Sequence, residues 1–183
     1  MTKIVGISGS LREKSYNTAT LHAVGQYFPG IDYSVVTLED VEPFNQDVEE
    51  KGWPPGVQRI RKAVEVADAV IFATPEYNYS VTGVLKNAID WLSRPARKSP
   101  LFGKPAAIVG ASMSMVGTAR AQAHLRQILF YNAMPVLASA EVLIAKAQDR
   151  FDEDGHLTDQ DTKSFLATFA AEFVDWIKLQ TPE

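Results

Sequence analysis

A polar stretch of ten residues near the start of the chain reads Gly9-Ser10-Leu11-Arg12-Glu13-Lys14-Ser15-Tyr16-Asn17-Thr18. The apolar run Ile4-Val5-Gly6-Ile7 precedes them, and a helical pattern begins at about Ala19. They therefore form the turn between a first strand and a first helix. This is the place where α/β proteins bind phosphate, because the first N–H groups of a helix lack internal partners and carry the positive end of its dipole.

The side chains of this turn suit a phosphate monoester. Hydroxyl or amide donors are present at Ser10, Ser15, Asn17 and Thr18, and Arg12 adds a fork-shaped cation that matches phosphate oxygens. An N-capped helix preceded by a polar turn is the alternative interpretation. The turn lacks both the G-x-G-x-x-G of a dinucleotide-binding fold and the G-x-x-x-x-G-K-[ST] of a nucleotide triphosphatase.

Apolar runs alternate with amphipathic ones along the chain, which is typical of a doubly wound parallel sheet. Strands are predicted at about 3–8, 32–38, 69–73, 106–111 and 136–139. Helices are predicted at about 17–28, 56–67, from 82 onward, 118–132 and 159–178, with a long loop before the second. The pattern predicts one α/β domain over residues 1–183, a flavodoxin-like three-layer sandwich whose five-stranded parallel sheet has the order 2-1-3-4-5.

In such a sheet, ligands bind beyond the carboxyl ends of the strands at the switch point between strands 1 and 3. Three loops should meet there, at 9–18, 74–83 and 111–118. The second loop carries Tyr77 and Tyr79 on either side of Asn78, next to Pro75. These residues suit a flat ring, although tyrosines that cover a sheet edge or an oligomer surface are the alternative. A phosphate site and a flat-ring site together predict a mononucleotide.

Composition excludes several kinds of chemistry. The 183 residues include no cysteine and only three histidines, which are far apart in the sequence, so a thiol nucleophile is excluded and we expect no metal site. The net charge of −4 with no basic block argues against nucleic acid as a partner. We find no signal peptide pattern and no apolar run of about 20 residues, and therefore expect a cytoplasmic protein without membrane insertion.

Three motifs carry a resemblance to a known family. The first loop reads G-S-L-R-x-x-S-x-N, the second begins T-P-E-Y-N-Y-S-V-x-G-x-L-K-N-A-I-D-W-L-S-R, and residues around 120–131 read in part A-R-A-Q-x-H-L-R-Q-I-L-x-Y. Together they resemble the NADPH-dependent FMN reductase family, close to its bacterial chromate and quinone reductase branch. The resemblance runs from about residue 3 to the last helix.

This resemblance implies a set of cofactor contacts. The FMN phosphate would be held by the first loop, through Ser10, Arg12, Ser15 and Asn17, with Leu11 and Tyr16 contributing. The isoalloxazine ring would lie along Pro75, Glu76, Tyr77 and Asn78, with Ala111 and Ser112 on its other side. Relatives form dimers and tetramers, so the resemblance also implies a homodimer or homotetramer with Arg126, Tyr131 and Glu141 at its interface. An ordinary helix-surface trio is the alternative for these three residues.

The resemblance further implies an FMN-dependent oxidoreductase that uses NADPH or NADH. Hydride would pass to flavin N5 and then to an acceptor in a ping-pong scheme, with no side chain required as acid or base. Flat acceptors are expected, quinones first, with chromate, azo dyes and free flavin as further candidates. A flavodoxin-like electron carrier, which takes up electrons singly, is the principal alternative, and an α/β protein without flavin is the second.

Overall fold

The computed structural model describes residues 1–181 and contains one five-stranded, all-parallel sheet. The strands are β1 (Lys3–Ser8), β2 (Asp32–Val36), β3 (Ala69–Ala73), β4 (Ala106–Ala111) and β5 (Val142–Ile144). The helices are α1 (Tyr16–Gly25), α2 (Gln46–Glu49), α3 (Pro55–Val66), α4 (Gly83–Leu92), α5 (Ala119–Tyr131) and α6 (Gln160–Gln180). The strand order is β2-β1-β3-β4-β5, so the predicted flavodoxin-like sheet is confirmed.

The central strand β3 shows why the sheet is buried on both faces. All five of its residues are buried, and because side chains alternate along a strand they contribute to two different cores. Ala69, Ile71 and Ala73 join the core that contains α1 and α6. Val70 and Phe72 join the core that contains α3, α4 and α5. Two helical layers therefore enclose the sheet, as the predicted sandwich requires.

The fifth strand lies elsewhere than the sequence predicts, so the position at 136–139 is wrong. Val136 makes a single parallel bridge to Ala106, and β5 then pairs with Val109 to Ala111. Leu137 and Ala140 are both buried in the same core. Residues three apart in an extended strand would point to opposite faces, so this segment leaves the extended conformation and re-enters the sheet at Val142.

The long loop after β2 is held by α4. The Phe44 amide donates to Asn87 Oδ1 at 2.7 Å, while Asn87 Nδ2 and Trp91 Nε1 both donate to the Glu42 carbonyl, at 2.9 and 2.8 Å. Two residues of the K-N-A-I-D-W motif thus anchor a loop 43 to 49 residues away. Over residues 1–181, no helix combines the length and apolar character needed to cross a bilayer.

Candidate functional site

The three predicted loops meet at one cavity beyond the carboxyl ends of β1, β3 and β4. This cavity, the main cavity of the site, has a volume of about 210 Å³. Ten of the twelve residues predicted to contact a cofactor line it, together with Met113. These ten are Ser10, Arg12, Ser15, Tyr16, Asn17, Pro75, Glu76, Tyr77, Ala111 and Ser112. An adjoining cavity of about 360 Å³ shares Ser10, Arg12 and Tyr77 with it.

The first loop ends in a helix start with unused donors. Ser15 is the N-cap of α1, and its Oγ accepts from the Thr18 amide at 3.3 Å. The first intrahelical bond runs from the Ala19 amide to the Ser15 carbonyl. The amides of Tyr16 and Asn17 precede that bond and have no intrahelical acceptor, so they are available to an anion. The exposed Arg12 side chain lines the same cavity.

Asn17 has a structural role that the sequence did not reveal. Its Nδ2 donates to the Ala111 carbonyl at 2.9 Å, and its Oδ1 accepts from the Ala111 amide at 3.0 Å. The buried side chain therefore joins α1 to the end of β4. Each end of the side-chain amide makes one bond to Ala111, and the main-chain N–H of Asn17 has no intrahelical acceptor.

A second link joins the first loop to the loop after β3. Thr82, the N-cap of α4, donates its hydroxyl to the Gly9 carbonyl at 2.7 Å. The Gly9 amide donates to the Ala73 carbonyl at 2.8 Å. The two loops are consequently fixed to each other on both sides of Gly9. A capping signal at Thr82 is visible in the sequence, but its bond to a loop 73 residues away is not.

The loop after β3 closes in a tight turn. Tyr77 and Ser80 exchange two main-chain hydrogen bonds of 3.1 and 3.0 Å, and φ is positive at both Asn78 (52°) and Tyr79 (63°). This is the type I′ geometry, which is unfavourable for a tyrosine and persists only where the surroundings enforce it. Tyr77 and Tyr79 are 60% and 65% exposed, so more than half of each side chain faces solvent.

The start of α5 provides those surroundings. The Glu76 carboxylate accepts from the Arg120 amide (3.0 Å), the Ala121 amide (3.2 Å) and Arg120 Nη1 (3.2 Å). The Arg120 guanidinium carbon lies 4.1 Å from the centre of the Tyr79 ring. His124 Nδ1 is 3.0 Å from the Ser80 hydroxyl. Sequence reasoning missed these α5 residues, because no local pattern marks a contact across 44 residues.

The third loop is polar at its base and apolar at its tip. Ser112 donates its amide to the Ile144 carbonyl at 2.9 Å, and its Oγ accepts from the Ser114 amide at 3.1 Å. Met113, Met115 and Val116 are exposed by 59%, 73% and 44%. An adaptable apolar edge of this kind suits a flat apolar molecule.

Five predicted residues, two cofactor contacts and three interface residues, do not line the main cavity. Leu11 lines the adjoining cavity instead, and the exposed Asn78 lines neither. Arg126 Nη1 donates to the Leu137 carbonyl at 3.0 Å, whereas Tyr131 is 70% exposed. Five residues along a helix turn by about 140°, so these two side chains leave α5 in different directions.

Glu141, the third predicted interface residue, is exposed and borders a separate small cavity with Arg150 and Phe165. Among residues 1–181, no group of three or more histidine, aspartate or glutamate side chains is arranged to hold a metal ion.

The strand order defines a flavodoxin-like protein, and its cavity combines the helix start and the tyrosines that the sequence predicts for a phosphorylated flat ligand. A sequence model of the NADPH-dependent FMN reductase family matches residues 2–149. An NAD(P)H-dependent FMN reductase of Pseudomonas aeruginosa is 47% identical over 177 residues, which cover 96% of this chain and 95% of the relative. The chain belongs to the NADPH-dependent FMN reductase family.

Two further relatives agree with this assignment. A quinone reductase of Escherichia coli is 37% identical over 184 residues, covering 97% of each chain. Among solved structures, the flavoenzyme NAD(P)H:(acceptor) oxidoreductase FerB of Paracoccus denitrificans superposes with a TM-score of 0.89 at 34% identity, covering 98% of this chain and 99% of FerB.

Proposed function

We propose that this chain is an FMN-dependent NAD(P)H oxidoreductase that reduces quinones. The observation that carries the proposal is the convergence of three loops on one cavity in a chain of this family. The electron-carrier alternative is less well supported, because the relatives reported above are named as reductases and oxidoreductases.

The phosphate of FMN would bind at the start of α1. Tyr16 and Asn17, whose amides lack intrahelical acceptors, line the same cavity as Ser10, Arg12 and Ser15. We assign the Asn17 contact to its main chain, because its side chain is bound to Ala111. Leu11 would contribute from the adjoining cavity.

The isoalloxazine ring would lie between the second and third loops. Pro75 to Asn78 would form one wall, and Ala111 with Ser112 would face it from the end of β4. The two adjoining cavities have volumes of about 210 and 360 Å³. Their combined volume exceeds the lower limit of about 300 Å³ for small-molecule sites. The residues present therefore fit the group.

Bound FMN supplies two-electron hydride chemistry between NAD(P)H and an acceptor. The chain binds and orients the group, and the exposed Tyr77 with the apolar tip at Met113 leaves an open surface on which flat acceptors can stack. Quinones fit this surface best. Chromate, azo dyes and free flavin are further proposed acceptors, and we propose the cytoplasm, where NAD(P)H is supplied, as the place of action.

The first test is the visible spectrum of the purified protein. We expect flavin bands that bleach on anaerobic addition of NADPH in one two-electron step and return on addition of benzoquinone. A protein that binds no added FMN, or that turns over every quinone slower than about 1 per second, would overturn the proposal. Uptake of electrons one at a time would favour the carrier instead.

A paired substitution tests the phosphate site. Arg12→Ala should raise the dissociation constant of FMN by about 10- to 100-fold, the effect of one lost charge-assisted hydrogen bond. Lys14→Ala removes the same charge from the same loop, yet Lys14 does not line the main cavity, so FMN affinity should hold. Equal losses of FMN affinity in the two variants would show that Arg12 does not bind the phosphate.

We also propose that the chain forms a homodimer or homotetramer through a surface that includes Arg126, Tyr131 and Glu141. Tyr131 is 70% exposed beside Phe130, which is 82% exposed. Large exposed aromatic side chains of this kind are enriched at interfaces. Light scattering of wild type and Tyr131→Ser should show an assembled and a smaller species, and a monomeric wild type would overturn this part.

A further inference from the structure

We propose that Arg120 and Glu76 form a charge pair that tunes the reduction potential of the bound flavin. We also propose that this pair holds the turn from Tyr77 to Ser80 in its left-handed conformation. The inference rests on the proposed function. Arg120 acts through Glu76 and Tyr79 and is a positioning residue rather than a catalytic one.

Among residues 1–181, Glu76 is the only acidic residue that lines the main cavity. Its side chain is 11% exposed, so water screens its charge poorly, whereas that of Arg120 is 47% exposed. The carboxylate accepts two amides and one guanidinium nitrogen, all within 3.2 Å. A shielded negative charge beside the ring is thus balanced by Arg120 and by the positive end of α5.

Glu76 also supplies the N-terminal cap that helix α5 lacks. The N-cap residue of α5, Thr118, makes no side-chain capping bond, and the Thr118 hydroxyl accepts from Gln122 Nε2 at 3.1 Å. The first turn of α5 contains no acidic residue of its own. Glu76 therefore caps this helix from a loop 44 residues earlier in the chain.

The same helix fixes the turn from Tyr77 to Ser80. Arg120 stacks on Tyr79, and His124 contacts the Ser80 hydroxyl. Tyr79 keeps a positive φ of 63° against its intrinsic preference. Three attachments to one helix, at Glu76, Tyr79 and Ser80, hold the wall along which we place the ring.

The charge pair predicts shifts of opposite sign. Reduction adds negative charge to the flavin, so a neighbouring negative charge lowers the potential and a positive one raises it. Arg120→Ala leaves Glu76 with less compensation and should lower the midpoint potential. Glu76→Gln leaves Arg120 in excess and should raise it. The double variant should return close to wild type, because the charges are removed together.

The experiment is a dye-equilibrated redox titration of FMN-loaded wild type, Arg120→Ala, Glu76→Gln, the double variant and Arg120→Lys. Arg120→Lys keeps the charge and should keep the potential near wild type. Arg59→Ala is the matched control, because Arg59 also pairs with a carboxylate, that of Asp40, at a similar exposure of 41%. It lies on α3, away from the cavity, and should leave the potential unchanged.

A second measurement does not depend on the flavin. Glu76→Gln removes the charged cap of α5 and should lower the thermal midpoint of the FMN-free protein by about 2–4 °C, which corresponds to about 1 kcal/mol in a chain of this size. Single variants that shift the potential in the same direction would overturn the charge pair while FMN binding by wild type stands. A wild type that binds no FMN would overturn the proposed function as well.

Discussion

At the scale of single residues, Gly9 shows how closely the site is packed. A Cβ atom at this position would lie 2.9 Å from the Ala73 carbonyl oxygen and 3.1 Å from Leu85 Cδ2. The Gly9 amide also donates to that carbonyl, so the backbone has little freedom to move away. Glycine is required here by the approach of three elements, while its φ is not in the left-handed region.

Gly9→Ala should therefore lower the free energy of unfolding by about 1–3 kcal/mol, the usual cost of forcing extra volume into a packed region. Gly83→Ala is the matched control. Gly83 is the first residue of α4, and within residues 1–181 no neighbouring atom lies within 4 Å of its added Cβ. There alanine should be neutral or stabilising by up to about 1 kcal/mol, because it restricts the unfolded chain.

Urea denaturation of the FMN-free proteins would measure both effects. Similar stabilities for the two alanine variants would show that the packing around Gly9 relaxes without cost.

Only part of this site could be predicted from the sequence. The N-cap Ser15 was identifiable because capping depends on neighbours a few residues apart. The phosphate contact of Arg12 stays a prediction. The side-chain bonds of Asn17 to Ala111 were not, since they span 94 residues and involve main-chain atoms that any residue offers. The same limit applies to Arg120, whose partner Glu76 precedes it by 44 residues.

At the scale of elements, the ends of α1 and β4 are joined by a single side chain. Asn17 satisfies both the amide and the carbonyl of Ala111, and Ala111 lines the cavity. Edge strand β5 is less well determined by its sequence. Its three residues follow a segment that leaves the sheet after Val136, and alternation alone placed the strand in that segment.

Asn17→Ala should lower the free energy of unfolding by about 2–3 kcal/mol, because two buried main-chain groups of Ala111 lose their partner. Asn45→Ala is the control: its side chain caps the short exposed helix α2 through the Asp47 amide. Removing such a cap should cost only about 1 kcal/mol. Chemical denaturation gives both values, and equal losses would mean that water replaces the Asn17 amide.

At the scale of the whole molecule, strand order brings the site together. The three loops begin at residues 9, 74 and 111, and they meet because parallel strands β1, β3 and β4 are neighbours whose carboxyl ends share one edge. The order was predictable from the alternation of apolar and amphipathic runs. Which side chains meet across the loops was set by three-dimensional packing.

Whole-molecule stability in acid should depend on three aspartates that lie outside this site. The Arg59 side chain donates to Asp40 and lowers its pKa. The His156 amide lowers the pKa of Asp152, and Thr162, through its hydroxyl and amide, lowers the pKa of Asp159. A carboxyl whose pKa is lower in the folded state binds more protons when unfolded, so its contribution is present above the ordinary pKa and disappears as the pH falls.

The free energy of unfolding of the FMN-free protein should accordingly be level near pH 6–7 and fall below about pH 5. The triple variant Asp40→Asn, Asp152→Asn, Asp159→Asn keeps an oxygen acceptor at each position but removes the titrating group. It should be less stable than wild type at pH 7 and lose less further stability on going to pH 3. Urea denaturation of each protein at pH 7 and at pH 3 gives the stability that the protein loses in acid, so each protein serves as its own reference. An acid slope as steep as that of wild type would assign the loss to other carboxyl groups.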